Sequence, residues 1–276
     1  MPEHASEVRL VESGCCRCRP DRRPASLGRV PTLTLTMPDG NAEAYLAAAP
    51  DGAPAPGVLF VIDAIGLRPR IEEMADRIAS WGYTVLAPNV FYRDGRAADV
   101  APKADLREPG NREAFMGEAM QRVRGLTPEL IARDLPAYLS ALRSRPEVSG
   151  DEVGATGYCM GARIAIRAAG ADPGVVAVGG WHGGGLVTDE PDSPHLAIAT
   201  ARATFAFGHA SNDGSMPPEA VTALGEAIDA AGLTVANEVF PGPHGYSMSD
   251  TSMYDEESAE RHFDSLRALL DSTLRG

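Results

Sequence analysis

The sequence predicts an α/β fold, in which helices cover both faces of a mostly parallel central sheet. Strand-length runs that are apolar throughout, rather than alternating, call for strands buried on both faces. Amphipathic helical patterns separate those runs. The chain has 276 residues, 44% of them hydrophobic, and a chain of that size buries about three quarters of the surface its unfolded form would expose.

Residues 1 to 30 are rich in Arg, Pro, Ser and Glu and show no periodicity. They are expected to form a disordered extension ahead of a single domain over 31–276. Thr32 to Met37 alternates with period two, Pro38-Asp39-Gly40 supplies turn residues, and Ala42 to Ala48 resumes as a strand. Together these describe an N-terminal β-hairpin. Gly57 to Ile62 is a continuous apolar strand, followed by a helix from about Arg70 to Trp81 and a strand at Tyr83 to Ala87. The segment from Val90 to Thr127 looks irregular and is too long for an ordinary connection, which suggests a lid or binding loop. Helices are then expected over Pro128–Ser144, Met160–Ala169, Pro217–Ala231 and Glu256–Leu274, alternating with strands at Val153–Tyr158, Val175–Gly180, Ala203–Phe207 and Thr234–Phe240.

Composition narrows the function. Against 25 Lys and Arg stand 38 Asp and Glu, a formal charge of −13, which would repel nucleic acid and anionic membranes alike. No uninterrupted apolar run reaches spanning length: Gly154 to Val187 is broken by Arg163, Arg167 and Asp172. The first 30 residues lack the apolar core of a secretory signal, so the expected compartment is the cytoplasm. Cys15, Cys16 and Cys18 crowd at the head of the chain while Cys159 stands alone. That usage fits a reducing compartment, and no ligand set for a metal follows the cluster at suitable spacing.

Cys159 is where chemistry is expected. In Gly154-Ala-Thr-Gly-Tyr-Cys-Met-Gly-Ala162 an apolar strand runs through Gly157-x-Cys159-x-Gly161 straight into a helix. This is a nucleophile-elbow pattern with cysteine at its centre. The turn is so sharp that its backbone is strained, and the residues two before and two after must be small. The helix N-terminus behind it favours thiolate over thiol, and the N–H of Met160 can help bind an oxyanion.

A nucleophile needs a base. His244, in Phe240-Pro-Gly-Pro-His-Gly-Tyr246, follows the last predicted strand. Asp213 follows the strand ending at Phe207 and can fix the imidazole tautomer; Asp189, Asp192 and Asp250 compete but follow no strand directly. Among the other histidines, His182 in Trp181-His-Gly-Gly184 reads as a pocket wall or core residue, and His195 and His262 as structural. His209 is expected in the same loop as the acid, where it could approach the pocket.

Gly157-Tyr-Cys-Met-Gly161, the Gly208 to Pro217 segment and Pro243-His-Gly-Tyr246 together resemble the dienelactone hydrolase family, from about Thr32 onward. The resemblance implies an α/β-hydrolase fold and a triad of Cys159, Asp213 and His244. It implies an oxyanion hole formed by the N–H groups of Ala64 and Met160. It also implies a carboxylate after the first long strand that contacts and activates the resting cysteine. Asp63 stands there in place of the family's glutamate, with a helix N-cap as its other reading. Arg93 would grip a substrate carboxylate, with Trp181 and His182 lining the pocket, while Met248 occupies the position of a second family arginine.

The expected activity is hydrolysis of esters or lactones of small, anionic substrates through an acyl-enzyme. It requires no metal or organic cofactor and suits a monomer or homodimer. Two alternatives compete: an inactive hydrolase fold used for binding, and a glutamine amidotransferase-like cysteine enzyme. The second lacks its later His-x-Glu motif, for which His262-Phe-Asp264 is the nearest substitute.

Overall fold

The computed structural model of the chain describes residues 33–276, so the expected N-terminal extension and its cysteine cluster lie outside the described residues. The eight strands are β1 (Leu33–Met37), β2 (Gly40–Ala47), β3 (Ala55–Val61), β4 (Thr84–Pro88), β5 (Val148–Tyr158), β6 (Val175–Trp181), β7 (Thr204–Ala210) and β8 (Val235–Phe240). They form one sheet in the order β1-β2-β4-β3-β5-β6-β7-β8. β1 and β2 make the expected hairpin, with Met37 opposite Gly40, and β2 joins β4 antiparallel; the remaining pairs are parallel.

The helices are α1 (Pro69–Ala79), α2 (Ala97–Val100), α3 (Asn111–Gly125), α4 (Pro128–Arg143), α5 (Gly161–Ala171), α6 (Pro218–Ala230) and α7 (Glu256–Leu274). α1 and α7 lie together on one face, joined by the Arg77–Glu260 ion pair and the edge-to-face packing of Trp81 on Phe263. α1 buries Ile71, Met74, Ala75 and Ile78, a stripe at helical spacing. α4 and α5 cover the opposite face. The two faces of β5 show the alternation: a Cβ on Gly154 would meet Leu270 of α7 at 2.8 Å, whereas one on Gly157 would strike the start of α5. Thr127 caps α4 by accepting from the Leu130 N–H, and Asp255 caps α7 by accepting from the Ser258 N–H.

The register of the sheet sets the height of the site. Val61, Gly157, Gly180 and Phe207 lie side by side across four parallel strands. Asp63, Cys159 and His182 each stand two residues beyond that row, at the carboxyl edge of the sheet. This is where open α/β sheets build their ligand sites.

Two expectations need correction. The Val90 to Thr127 segment is not irregular throughout, since it contains α2 and the 15-residue α3. α3 has almost no apolar stripe, and Ala119 is its one fully buried residue, so helical periodicity could not reveal it. His209 is not in a loop near the pocket. It belongs to β7, is buried, and its Nε2 bonds the Asn237 side chain at 2.7 Å. Among the described residues, no helix is long and apolar enough to cross a membrane.

Candidate active site

β5 ends at Tyr158 and α5 begins at Gly161, leaving Cys159 on the turn with φ of 55°. Such a positive φ is costly for a residue with a side chain and survives only where its surroundings enforce it. Here the Cys159 N–H donates to the Trp181 carbonyl at 3.0 Å. A Cβ on Gly157 would come within 2.2 Å of the Gly161 carbonyl oxygen, and one on Gly161 within 2.4 Å of the Val61 carbonyl oxygen. Both glycines are therefore demanded by backbone contact, as the elbow spacing predicts.

His244 and Asp213 reach the same rim from the loops after β8 and β7. His244 Nδ1 donates to Asp213 Oδ2 at 2.5 Å. Asp213 Oδ1 accepts from the Ser215 N–H at 2.9 Å and its hydroxyl at 2.6 Å. Burial works against the Asp213 carboxylate, but these hydrogen bonds outweigh it and pull the carboxyl down to about 2. Burial likewise opposes the charged forms of Cys159 and His244. Their mutual attraction prevails, holding the thiol below its ordinary value and raising the imidazole to about 10. Both shifts favour the thiolate–imidazolium form of the pair, and the Met160 N–H adds a hydrogen bond to sulfur in the same direction.

A narrow cleft of about 320 Å³ including its open mouth lies over the thiol, bordered by Asp63, Ala64, Arg112, His182, His244 and Met248 among others. Asp63 therefore reaches the site, but its carboxylate is already engaged. Arg68 Nη1 and Nη2 donate to it at 2.7 and 3.0 Å, and the N–H groups of Ile65 and Gly66 close a turn onto Oδ1. Asp63 does not cap α1, whose N-cap residue is Arg68. Arg68 is itself buried and also donates to Asp250 at 2.5 and 3.2 Å. Burial disfavours its charge, and the two carboxylates more than restore it. Asp250, a sequence-level rival for the acid of the triad, thus serves Arg68 and not the imidazole.

His182 borders the cavity and is fully buried. Its Nε2 shares a 2.8 Å hydrogen bond with the Ser247 hydroxyl, and burial and neighbouring histidines keep it neutral. Two expected pocket residues are elsewhere. Arg93 does not border this cavity: Asp134 holds its guanidinium at 2.7 and 2.8 Å, and Asp39 takes its Nε at 2.8 Å. Trp181 is core, with its indole N–H on Thr156 Oγ1 at 2.9 Å and its ring stacked against Phe240. His262 is buried within α7 and pushed down to about 3, chiefly by burial, so His262-Phe263-Asp264 offers no amidotransferase-like pair. His195 bonds the Ser193 hydroxyl outside the cavity.

Sequence reasoning missed Arg112 and Met116, which α3 brings over the thiol, and Arg68. For Arg68 a signal existed, a cation five residues after a carboxylate; for α3 there was none. Among the described residues, no group of three metal-ligating side chains comes together.

With this geometry in view, the comparisons with known proteins are decisive about kinship. The model of the dienelactone hydrolase family matches residues 42–274. The chain belongs to the dienelactone hydrolase family. A Methylorubrum extorquens relative is 27% identical over 233 residues, covering 83% of this chain and 76% of its own. The carboxymethylenebutenolidase of Pseudomonas putida is 25% identical, covering 86% of this chain and 96% of the relative. Two solved structures share the fold: a dienelactone hydrolase from Anabaena variabilis (TM-score 0.62, 18% identity, 88% of this chain and 97% of that one) and the metagenomic dienelactone hydrolase-like promiscuous phosphotriesterase P91 (TM-score 0.67, 20% identity, 88% and 97%). Family membership establishes a hydrolase of α/β-hydrolase fold.

Proposed function

We propose that the chain hydrolyses carboxylic esters or lactones of small anionic substrates, with Cys159 as nucleophile, His244 as proton carrier and Asp213 as its orienting acid. The observation that carries this reading is the pairing of a strained cysteine elbow, its thiol lowered by the imidazole, with that imidazole's other nitrogen tied to a carboxylate.

The Cys159 sulfur attacks the substrate carbonyl, and the carbonyl electron pair moves to oxygen. The N–H groups of Ala64 and Met160 stabilise that oxyanion. Collapse breaks the acyl–oxygen bond, and His244 Nε2 gives its proton to the departing alkoxide. The neutral imidazole then takes a proton from water as the water oxygen attacks the thioester. Release of the acid regenerates thiolate and imidazolium. Asp213 stays ionised throughout and preserves the tautomer.

The anion of the substrate is assigned to Arg112. Arg68 is balanced by Asp63 and Asp250 and Arg93 by Asp134 and Asp39, whereas Arg112 borders the cavity with no ion pair among the described residues. A guanidinium is well suited to bidentate carboxylate recognition. Because Arg68 engages Asp63, activation of sulfur falls to His244, and the Asp63 carboxylate stays held by the guanidinium at the cavity wall.

The test is hydrolysis of p-nitrophenyl acetate by the intact chain, with and without iodoacetamide. Activity lost on alkylation and absent in Cys159→Ala supports the thiol mechanism. Undiminished turnover in Cys159→Ala refutes it, and an unalkylatable, inactive parent would leave a binding scaffold.

A further inference from the structure

A second cavity, about 660 Å³ including its open mouth, lies on the other side of Met160. The C-terminal end of α3, the start of α4, the first turns of α5 and the loop before residue 195 enclose it. Leu126, Ile131 and Ile164 supply an apolar wall. Arg163 and Arg167, one turn apart on α5, face the same space.

These two arginines differ from most of their kind in this acidic chain. Arg68, Arg93 and Arg143 each hold an aspartate side chain. Arg163 and Arg167 have no carboxylate within ion-pair distance among the described residues. Arg163 spends only Nε, on the Gly184 carbonyl at 2.5 Å, and Arg167 spends Nη2 on the Asp192 carbonyl. The remaining N–H groups of both are uncommitted among the described residues. Burial, helped by the nearby charge of Arg163, holds Arg167 below its ordinary value against the attraction of the Asp192 and Glu129 carboxylates, neither of which reaches ion-pair distance. Two neighbouring guanidinium groups that face one cavity with no ion pair among the described residues can both donate charge-assisted hydrogen bonds to one carboxylate placed between them.

We propose that this cavity is a second ligand site, which takes a small monocarboxylate with an apolar body. The carboxylate bridges Arg163 and Arg167, and the body lies on Leu126, Ile131 and Ile164. Glu190 and Asp192, exposed at the mouth, oppose anions of higher charge such as phosphate.

The site has a route to the catalytic rim. Arg163 holds Gly184; the N–H of Gly185 donates to the Ser215 carbonyl at 2.8 Å, and Ser215 donates to Asp213. α3 borders both cavities, through Met116 in one and Val123 in the other. Occupancy is therefore expected to alter turnover. That consequence rests on the proposed hydrolysis, whereas the binding itself does not.

The test is calorimetric titration of the intact chain with phenylacetate, with phenylacetamide as the neutral control. It is repeated after iodoacetamide blocks Cys159, in the presence of inorganic phosphate, and with Arg167→Gln and Leu126→Glu. Saturable phenylacetate binding is expected, weakened about tenfold or more by Arg167→Gln, by Leu126→Glu and by the neutral amide. It is expected to survive thiol blocking and phosphate. Equal affinity of the amide, indifference to both substitutions, loss of binding on blocking Cys159, or no saturable binding at all would overturn the proposal. A chain that binds phenylacetate in this pattern yet cleaves no ester would refute the hydrolytic reading alone.

Discussion

The catalytic cavity has two unlike walls. On one, Cys159, His182 and His244 stand just past strand ends, locked by backbone contacts at Gly157 and Gly161 and by the 2.5 Å bond to Asp213. On the other, Arg112 and Met116 project from α3, whose one fully buried residue is Ala119. The proposed bond-making groups are held on the stiff wall, where small misplacements are costly. The proposed recognition group sits on a helix with little packing to hold it, the kind of element that adjusts most readily to different substrates.

The largest expected break in this contrast is Cys159→Ala, which removes the bond-forming atom. Ester cleavage should fall by about 10³-fold or more, measured as the turnover of p-nitrophenyl acetate. Asp213→Asn comes next. It keeps the shape but disturbs the tautomer and the imidazolium, and kcat should drop by about 10²-fold with KM little changed.

Arg112→Gln tests the soft wall. KM for an anionic ester should rise by about tenfold while kcat and a neutral ester are spared. Arg93→Gln is its counterpart. Because Arg93 balances the buried Asp134, the loss should appear as about 3 kcal/mol of stability in denaturant unfolding and not in KM. An unchanged KM in Arg112→Gln together with a raised one in Arg93→Gln would reverse the assignment.

The smallest effect is a shift along the pH axis. The thiol is depressed and the imidazole raised to about 10, so the ion pair forms as pH rises through the lowered thiol value and persists until about 10. Alkylation of Cys159 by iodoacetamide should therefore have its midpoint below the ordinary thiol value, and His244→Gln should move it upward. Asp213 shifts in the same direction as the thiol. Its depressed carboxyl adds stability above its ordinary value of 3.8, and that contribution is lost as pH falls through about 2.

The stiff wall was largely legible in the sequence and the soft one was not. Continuous apolar strands, the Gly-x-Cys-x-Gly turn and a histidine after the last strand are local patterns whose physics allows few alternatives. Arg93 was misassigned because a cation near a strand end looks available until its partners are known; Asp134, 41 residues away, and Asp39 claim it only in the folded chain. Trp181 misled in the same way, since its strand-end position says nothing about Thr156 waiting beneath its indole. Arg112 could not be found because α3 lacks the periodicity that announces a helix, and His209 was misread because β7 runs three residues past the expected strand end.

The transverse row of Val61, Gly157, Gly180 and Phe207 has a consequence for how this chain can vary. Adding or deleting one residue within β3, β5 or β6 would advance or retract its terminal side chain by roughly 3.3 Å and turn it to the opposite face. The same change beyond α3 would only lengthen a connection. Length variation among natural or engineered versions should therefore accumulate in the helical connections, while the strand segments leading to sulfur, imidazole and carboxylate keep an invariant residue count.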